Sequence, residues 1–184
     1  MSDLTDEELA QKVQKGETEA FGILIERFEQ KMLRYSRKFL FGYEDAQDAV
    51  QTVFLKAYIN IQQFDNSKKF SSWLYRIAHN EFINVIKKNG KESVPIFELD
   101  TLFPHLEAKQ NSARDFEVQE LQDLMEQYLN KISPKYREIL VLYYFEQMGY
   151  TEIAEILKIP ASTVGVRLKR AKVALKKLIP IEHL

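Results

Sequence analysis

The chain has 184 residues, 45% of them apolar and 29% charged, with a net charge of −1. That balance fits one medium globular domain or two small ones and excludes a protein coated in basic surface, so any hold on nucleic acid must come from local patches. The lack of cysteine excludes disulfides, thiolate metal sites and thiol chemistry.

No apolar run approaches the ~20 residues of a membrane span. The start, Met1-Ser-Asp-Leu-Thr-Asp-Glu-Glu, lacks the basic-then-apolar order of a signal peptide. A cytoplasmic protein without membrane insertion is expected. Six glycines and five prolines leave little room for a turn-rich β fold.

Helical spacing dominates instead. Residues 17–39 carry Phe21, Leu24, Ile25, Phe28, Met32, Leu33 and Phe39 at intervals of three and four. Gly42 supplies a stop, and Glu44 and Asp45 put negative charge at the start of the next helix. That helix, 45–61, lines up Ala46, Ala49, Val50, Val53, Phe54, Ala57, Tyr58 and Ile61 on an apolar face. After a loop at 64–70, Ser71 or Ser72 is the expected N-cap of a third helix, running through Trp73, Leu74, Ile77, Ala78, Phe82, Ile83 and Ile86 to Lys87-Lys88.

Periodicity fails over 91–114, where Pro95, Pro104 and scattered acids fall, and returns at Phe116. Ser133-Pro134 reads as an N-cap followed by proline at the first helical position, opening a helix to Phe145 that buries Ile139, Leu140, Leu142 and Tyr143. The expected fold is all-α: helical domains at 1–90 and 116–184, joined by a flexible linker at 91–115.

Three constellations carry function. The first is a helix-turn-helix: helical spacing over 150–157, a turn at Lys158-Ile-Pro160, and a last helix on which Val164, Leu168, Ala171, Leu175 and Leu178 form one packing stripe. No acid falls between Glu155 and Glu182, while Lys158, Arg167, Lys169, Arg170, Lys172, Lys176 and Lys177 do. Arg167 and Lys172 flank the stripe; Ser162, Val166, Lys169 and Arg170 project away from it, where a recognition helix meets base edges and phosphates. Val166 suits a thymine methyl, and Gly165 a close backbone approach. A solvated basic helix is the plainer alternative.

The second constellation interleaves cations, aromatics and amides: Lys68, Lys69, Phe70, Trp73, Arg76, His79, Asn80, Asn84, Lys87 and Lys88. Stacking faces beside backbone-tracking charge suit single-stranded or melted DNA; Trp73 and Tyr75 read equally well as core residues. The third is the polar side of helix 45–61, where Asp45, Asp48, Gln51, Thr52, Leu55 and Lys56 form a patch able to meet a basic partner, or plain solvent. His79, His105 and His183 share no metal-ligand spacing, and no phosphate loop or nucleophile elbow is present. No catalytic residue, metal or cofactor is expected.

Taken in order, Asp45-Ala-Gln-Asp48-Ala-Val-Gln51-Thr-Val-Phe54, Trp73-Leu-Tyr-Arg-Ile-Ala78-His-Asn80, Ile132-Ser-Pro134-Lys-Tyr-Arg137-Glu and the helix-turn-helix resemble bacterial RNA polymerase sigma factors of the extracytoplasmic-function type. Residues 16–88 are similar to sigma region two and 121–178 to region four. The resemblance implies a non-enzymatic initiation factor, commonly of stress responses. It implies docking of Asp45, Asp48, Gln51, Thr52, Phe54 and Leu55 on core RNA polymerase (β′ and β subunits). It gives minus-ten reading to Lys68, Lys69, Phe70, Trp73, Arg76, His79, Asn80, Asn84, Lys87 and Lys88. It gives minus-thirty-five reading to Ser162, Thr163, Gly165, Val166, Arg167, Lys169 and Arg170. An anti-sigma factor is the implied regulator.

Three departures stand out. Gly165 and Val166 replace the usual Lys-Ser, Asn84 stands where aspartate is common, and Thr52 where glutamate is common. Two other readings stay open on the sequence: a stand-alone helix-turn-helix regulator, and a sigma-like polymerase binder that has lost promoter recognition.

Overall fold

The computed structural model describes residues 4–39, 43–88 and 128–179. The expected linker, and the helix expected to resume at Phe116, lie outside the described residues. Contacts divide the chain into two compact units, Met1–Glu92 and Ser93–Leu184. No strand occurs among the described residues.

The first unit opens with a helix that the periodicity did not announce, α1 (Asp6–Gln14). Its start is a reciprocal capping box. The Glu8 N–H donates to Thr5 Oγ1 (3.2 Å), and the Thr5 N–H donates to Glu8 Oε2 (2.7 Å). Gly16, at φ +97°, takes the left-handed position beyond its end that only glycine holds without strain. Arg27 then ties α1 to α2 (Glu19–Phe39), donating to Leu4 O (2.8 Å) and pairing with Asp6 (2.7 Å).

Next come α3 (Tyr43–Ile59), a 3-10 turn (Ile61–Gln63) and α4 (Phe70–Lys88). α3 packs on both α2 and α4. The core is aromatic: Tyr35 meets Tyr75 (5.2 Å between ring centroids) and Phe82 (5.3 Å), and Phe70 meets Phe28 (5.6 Å) and Phe64 (5.5 Å). Such tilted and edge-on pairs each add about 0.5–1.5 kcal/mol beyond the area they bury.

The expected serine cap of α4 is not what forms. The helix begins at Phe70, whose N–H donates to Glu7 Oε1 on α1 (2.9 Å). Ser72 is instead buried inside the first turn with its Oγ unpartnered. A carboxylate from a distant helix replaces a local hydroxyl because it satisfies the same orphan donor and also favours the positive end of the helix dipole.

The second unit holds a 3-10 turn (Leu129–Lys131), α5 (Pro134–Leu140), α6 (Tyr150–Leu157) and α7 (Ala161–Lys176). Ser133 occupies the N-cap position of α5 but makes no capping bond through its side chain. Arg137 is buried and anchors the preceding turn, donating from Nε to Leu129 O (2.8 Å). Burial pulls its pKa below the ordinary guanidinium value.

Beyond Leu140 the helix widens into a π turn, Val141–Phe145, closed by Glu146 N–H on Val141 O at 3.0 Å. The wider turn rotates the side chains that follow. Tyr144 is therefore buried, and Tyr143, expected in the core, is only half-buried.

Candidate nucleic-acid interfaces and docking face

On α3, Asp48, Gln51 and Leu55 are exposed along one strip, with Thr52 half-buried beside them. The Thr52 hydroxyl donates to Asp48 O (2.9 Å), so it is already engaged within its own helix. Asp45 lies in the first turn of the same helix, its side chain outside the described set. Phe54 is buried in the core, on the flank of the helix next to this strip.

The strip continues where no site was expected. Ile59, four residues after Leu55, is 66% exposed; Leu55 itself is 59% exposed, and Tyr58 stands at the rim with its ring 5.1 Å from Phe21. Tyr58 had been placed on the buried face; its edge contact with Phe21 leaves the far side of the ring to solvent. The signal for Ile59 was available, since it falls one turn beyond Leu55. An apolar end on a polar strip is a surface built to be covered.

α4 separates its residues cleanly. Leu74, Tyr75, Ala78 and Phe82 face the core. Trp73, Arg76, Asn80, Asn84 and Lys87 follow at intervals of three and four on the opposite side, with Asn80, Asn84, Lys87 and Lys88 exposed. His79 lies half-buried at the edge of this row. Phe70 is 1% exposed, which removes it from the expected strand-reading set. It is enclosed by Phe28, Phe64 and Trp73 and supports the half-buried indole of Trp73 from below (5.6 Å between ring centroids).

Lys68 and Lys69 are exposed on the loop before α4. That loop has internal order: Asp65 Oδ1 accepts from both Oγ (2.7 Å) and N (3.0 Å) of Ser67, and Lys68 N–H donates to Asp65 O at 2.9 Å. The Ser67 hydroxyl, then its amide, and the Lys68 charge hold the Asp65 carboxyl below its ordinary pKa. Lys56 on α3 pairs with Glu81 on α4, joining α3 to the helix that carries the row.

In the second unit, α6 and α7 meet through the turn at Lys158, which takes the left-handed conformation at φ +53°. Gly149 N–H donates to Glu152 Oε2 (2.8 Å), closing the start of α6. Val164, Leu168, Ala171 and Leu175 are buried as the stripe required, while Leu178 falls beyond the helix and is partly exposed.

Two members of the expected duplex-reading set are placed differently. Gly165 is buried, and Arg167 is 6% exposed. Both α5 and α6 pack on α7, so the covered arc is wider than one four-residue stripe and includes its flanks. What remains outward is Ser162 and Lys169, with Thr163, Val166 and Arg170 half-buried beside them. Val173 (51% exposed) and Lys176 extend the same row at steps of four and three. Lys172 lies over the Tyr144 ring (5.2 Å) and so is held against its own unit.

No helix among the described residues is long and apolar enough to cross a membrane, and no cluster of His, Asp and Glu there is arranged to hold a metal.

Comparison with known proteins fits this geometry. The family Sigma-70 region 2 matches residues 24–92, and Sigma-70, region 4 matches residues 122–175. The chain is 35% identical to the ECF RNA polymerase sigma factor SigW of Bacillus subtilis, over 90% of this chain and 92% of that protein. It is 30% identical to the RNA polymerase sigma-H factor of Pseudomonas aeruginosa, over 95% of this chain and 93% of that one. Among solved structures it is similar to CnrH in complex with the cytosolic domain of CnrY, with a TM-score of 0.70, 25% identity, and coverage of 94% and 96% of the two chains. A stand-alone helix-turn-helix regulator would not match both regions in order along the chain. The protein therefore belongs to the extracytoplasmic-function type of the sigma-70 family of RNA polymerase sigma factors.

Proposed function

We propose that this sigma factor, in directing RNA polymerase to promoters, divides recognition between its units according to the state of the DNA. The first unit docks on core polymerase through the outer face of α3 and holds the displaced minus-ten strand with the loop before α4 and the exposed row of α4. The second unit places the outer face of α7 in the major groove of the minus-thirty-five duplex. One observation carries the reading most: on α4, amides, cations and a half-buried indole share a single outward row, backed by an aromatic core. Unstacked bases need a flat ring to stack on, donors and acceptors for their edges, and charge for the backbone.

The docking face is less acidic than the family pattern, with Thr52 bonded to its own helix. Leu55 and Ile59 take a correspondingly larger share of the contact, since buried apolar anchors dominate interface energetics. CnrH is known in complex with the cytosolic domain of CnrY; a protein that binds this chain and covers these faces completes the reading as an anti-sigma partner.

Run-off transcription with purified core polymerase and a library of genomic upstream fragments tests it. The full chain should yield a defined set of start sites sharing two sequence elements. Polymerase binding without promoter-dependent transcripts would instead mark a sigma-like protein that has lost promoter recognition.

A further inference from the structure

α1 ends ten residues before the region 2 match begins at residue 24. Its side chains nevertheless reach the loop that presents Lys68 and Lys69. Gln14 uses its whole amide there. Nε2 donates to Ile61 O and Phe64 O, both at 2.8 Å, and Oε1 accepts from Asn66 Nδ2 at 2.6 Å. The Gln14 carbonyl accepts from Gln62 Nε2 as well (2.9 Å). Both donors of the amide and its acceptor oxygen are thus engaged with the loop.

Glu7 holds the other end of the same loop, accepting the Phe70 N–H at 2.9 Å. Glu7 and Gln14 are seven residues apart, two turns of helix, which places them on one face about 10 Å from each other. One rigid face of α1 therefore grips the loop at its entry and at its exit. Between the grips, the loop carries the turn bonds of Asp65, Ser67 and Lys68. A six-residue loop held by those bonds alone would sample many geometries.

The geometry points to α1 as the positioning element of the strand-reading loop, with Glu7 and Gln14 fixing its two ends so that it meets an unstacked strand in one conformation. The inference rests on the proposed strand reading by the first unit. Glu7 and Gln14 are positioning residues: base selectivity depends on how well the contacting groups are held, and a loose loop keeps its charge but loses its discrimination.

The test uses holoenzyme reconstituted from the full chain and core polymerase, and single-stranded DNA with six randomised bases, sequenced before and after binding. Gln14→Ala, which removes three hydrogen bonds to the loop, and Glu7→Ala, which removes one, should each lower the enrichment of preferred bases by about two- to tenfold, the scale of one net hydrogen bond. Core affinity and duplex binding should stay within about twofold of the unaltered protein, below a single such bond. Glu7→Gln keeps an acceptor for Phe70 N–H and should restore the enrichment, which a general loss of stability would not do. Should Gln14→Ala fail to fold, Asn66→Ala removes the exposed half of the same contact and carries the same expectation.

Unchanged enrichment in the Gln14 and Glu7 variants, with Asn80→Ala reducing strand binding, would overturn the positioning role alone. Unchanged strand binding in Asn80→Ala and in Lys68→Ala would overturn the reading beneath it, and the inference with it.

Discussion

α4 and α7 both turn a row of polar and basic side chains outward, yet the two rows differ in kind. On α4 the row includes an indole and two asparagines, and the loop that introduces it is held at both ends by α1. On α7 the row is Ser162, Val166, Lys169, Val173 and Lys176, without a ring or an amide. A duplex presents stacked bases whose edges need only small or charged groups at groove depth. A parted strand presents ring faces and swinging backbone, which demand a stacking surface and a fixed frame. On the proposed reading, the difference teaches that one chain would meet two forms of DNA through the choice of side chains on helices of similar length.

The largest effect expected from breaking that contrast is at Phe70. Phe70→Ala should destabilise the first unit by about 3–5 kcal/mol, the cost of emptying an enclosed aromatic site, read as a lower denaturant midpoint. Trp73→Ala should cost much less stability and instead weaken single-strand binding by about 1–3 kcal/mol, the worth of one stacked base. Equal losses of stability in both variants would erase the distinction between support and contact.

Next comes the docking face. Leu55→Asp should weaken binding to core polymerase by about 2 kcal/mol or more, as for a central apolar anchor, with the fold intact by circular dichroism. Asp48→Arg should weaken it less, because a rim charge alters chiefly the rate of association. Unchanged affinity in Leu55→Asp would move the docking surface off α3.

On α7 the expected change is smaller and electrostatic. Lys169→Ala should weaken duplex binding uniformly across sequences and reduce the salt slope by about 1. Arg167→Ala, by contrast, should leave the slope alone and lower the stability of the second unit, since Arg167 is buried. A slope that falls in Arg167→Ala but not in Lys169→Ala would reverse the assigned face.

The smallest effect concerns the loop before α4. The folded-state pKa of Asp65 is lowered, so its bonds to Ser67 are present above the ordinary carboxylate range and lost as pH falls through the lowered value. The Ser67 amide resonance should shift with that acid transition. A midpoint at or above the unfolded value would mean that the turn does not favour the carboxylate.

Much of this architecture was legible, and the exceptions have particular causes. The α7 stripe from Val164 to Leu175, the turn at Lys158, and Leu74, Ala78 and Phe82 on the core face of α4 follow from spacing alone; Ile77, Ile83 and Ile86 are only half-buried. α1 was legible too, in Thr5 and Glu8 three residues apart before Leu9 and Val13, but a helix so short carries little periodicity. The start of α4 was not legible, because its cap comes from Glu7, 63 residues away. Tyr143 is half-buried and Tyr144 buried because the π turn breaks the register that projection assumes. Gly165 and Arg167 were drawn inward by a second helix packing on α7, a tertiary fact that no single-helix projection contains.

The division between the two units is tested most directly by giving holoenzymes with Asn80→Ala or Lys169→Ala the same promoter sequence as a single strand and as a duplex, and measuring affinity for each. Asn80→Ala should weaken single-strand binding and spare the duplex, and Lys169→Ala should do the opposite. If both substitutions weaken the same form of DNA to the same degree, the two rows do not read different states and the account is wrong.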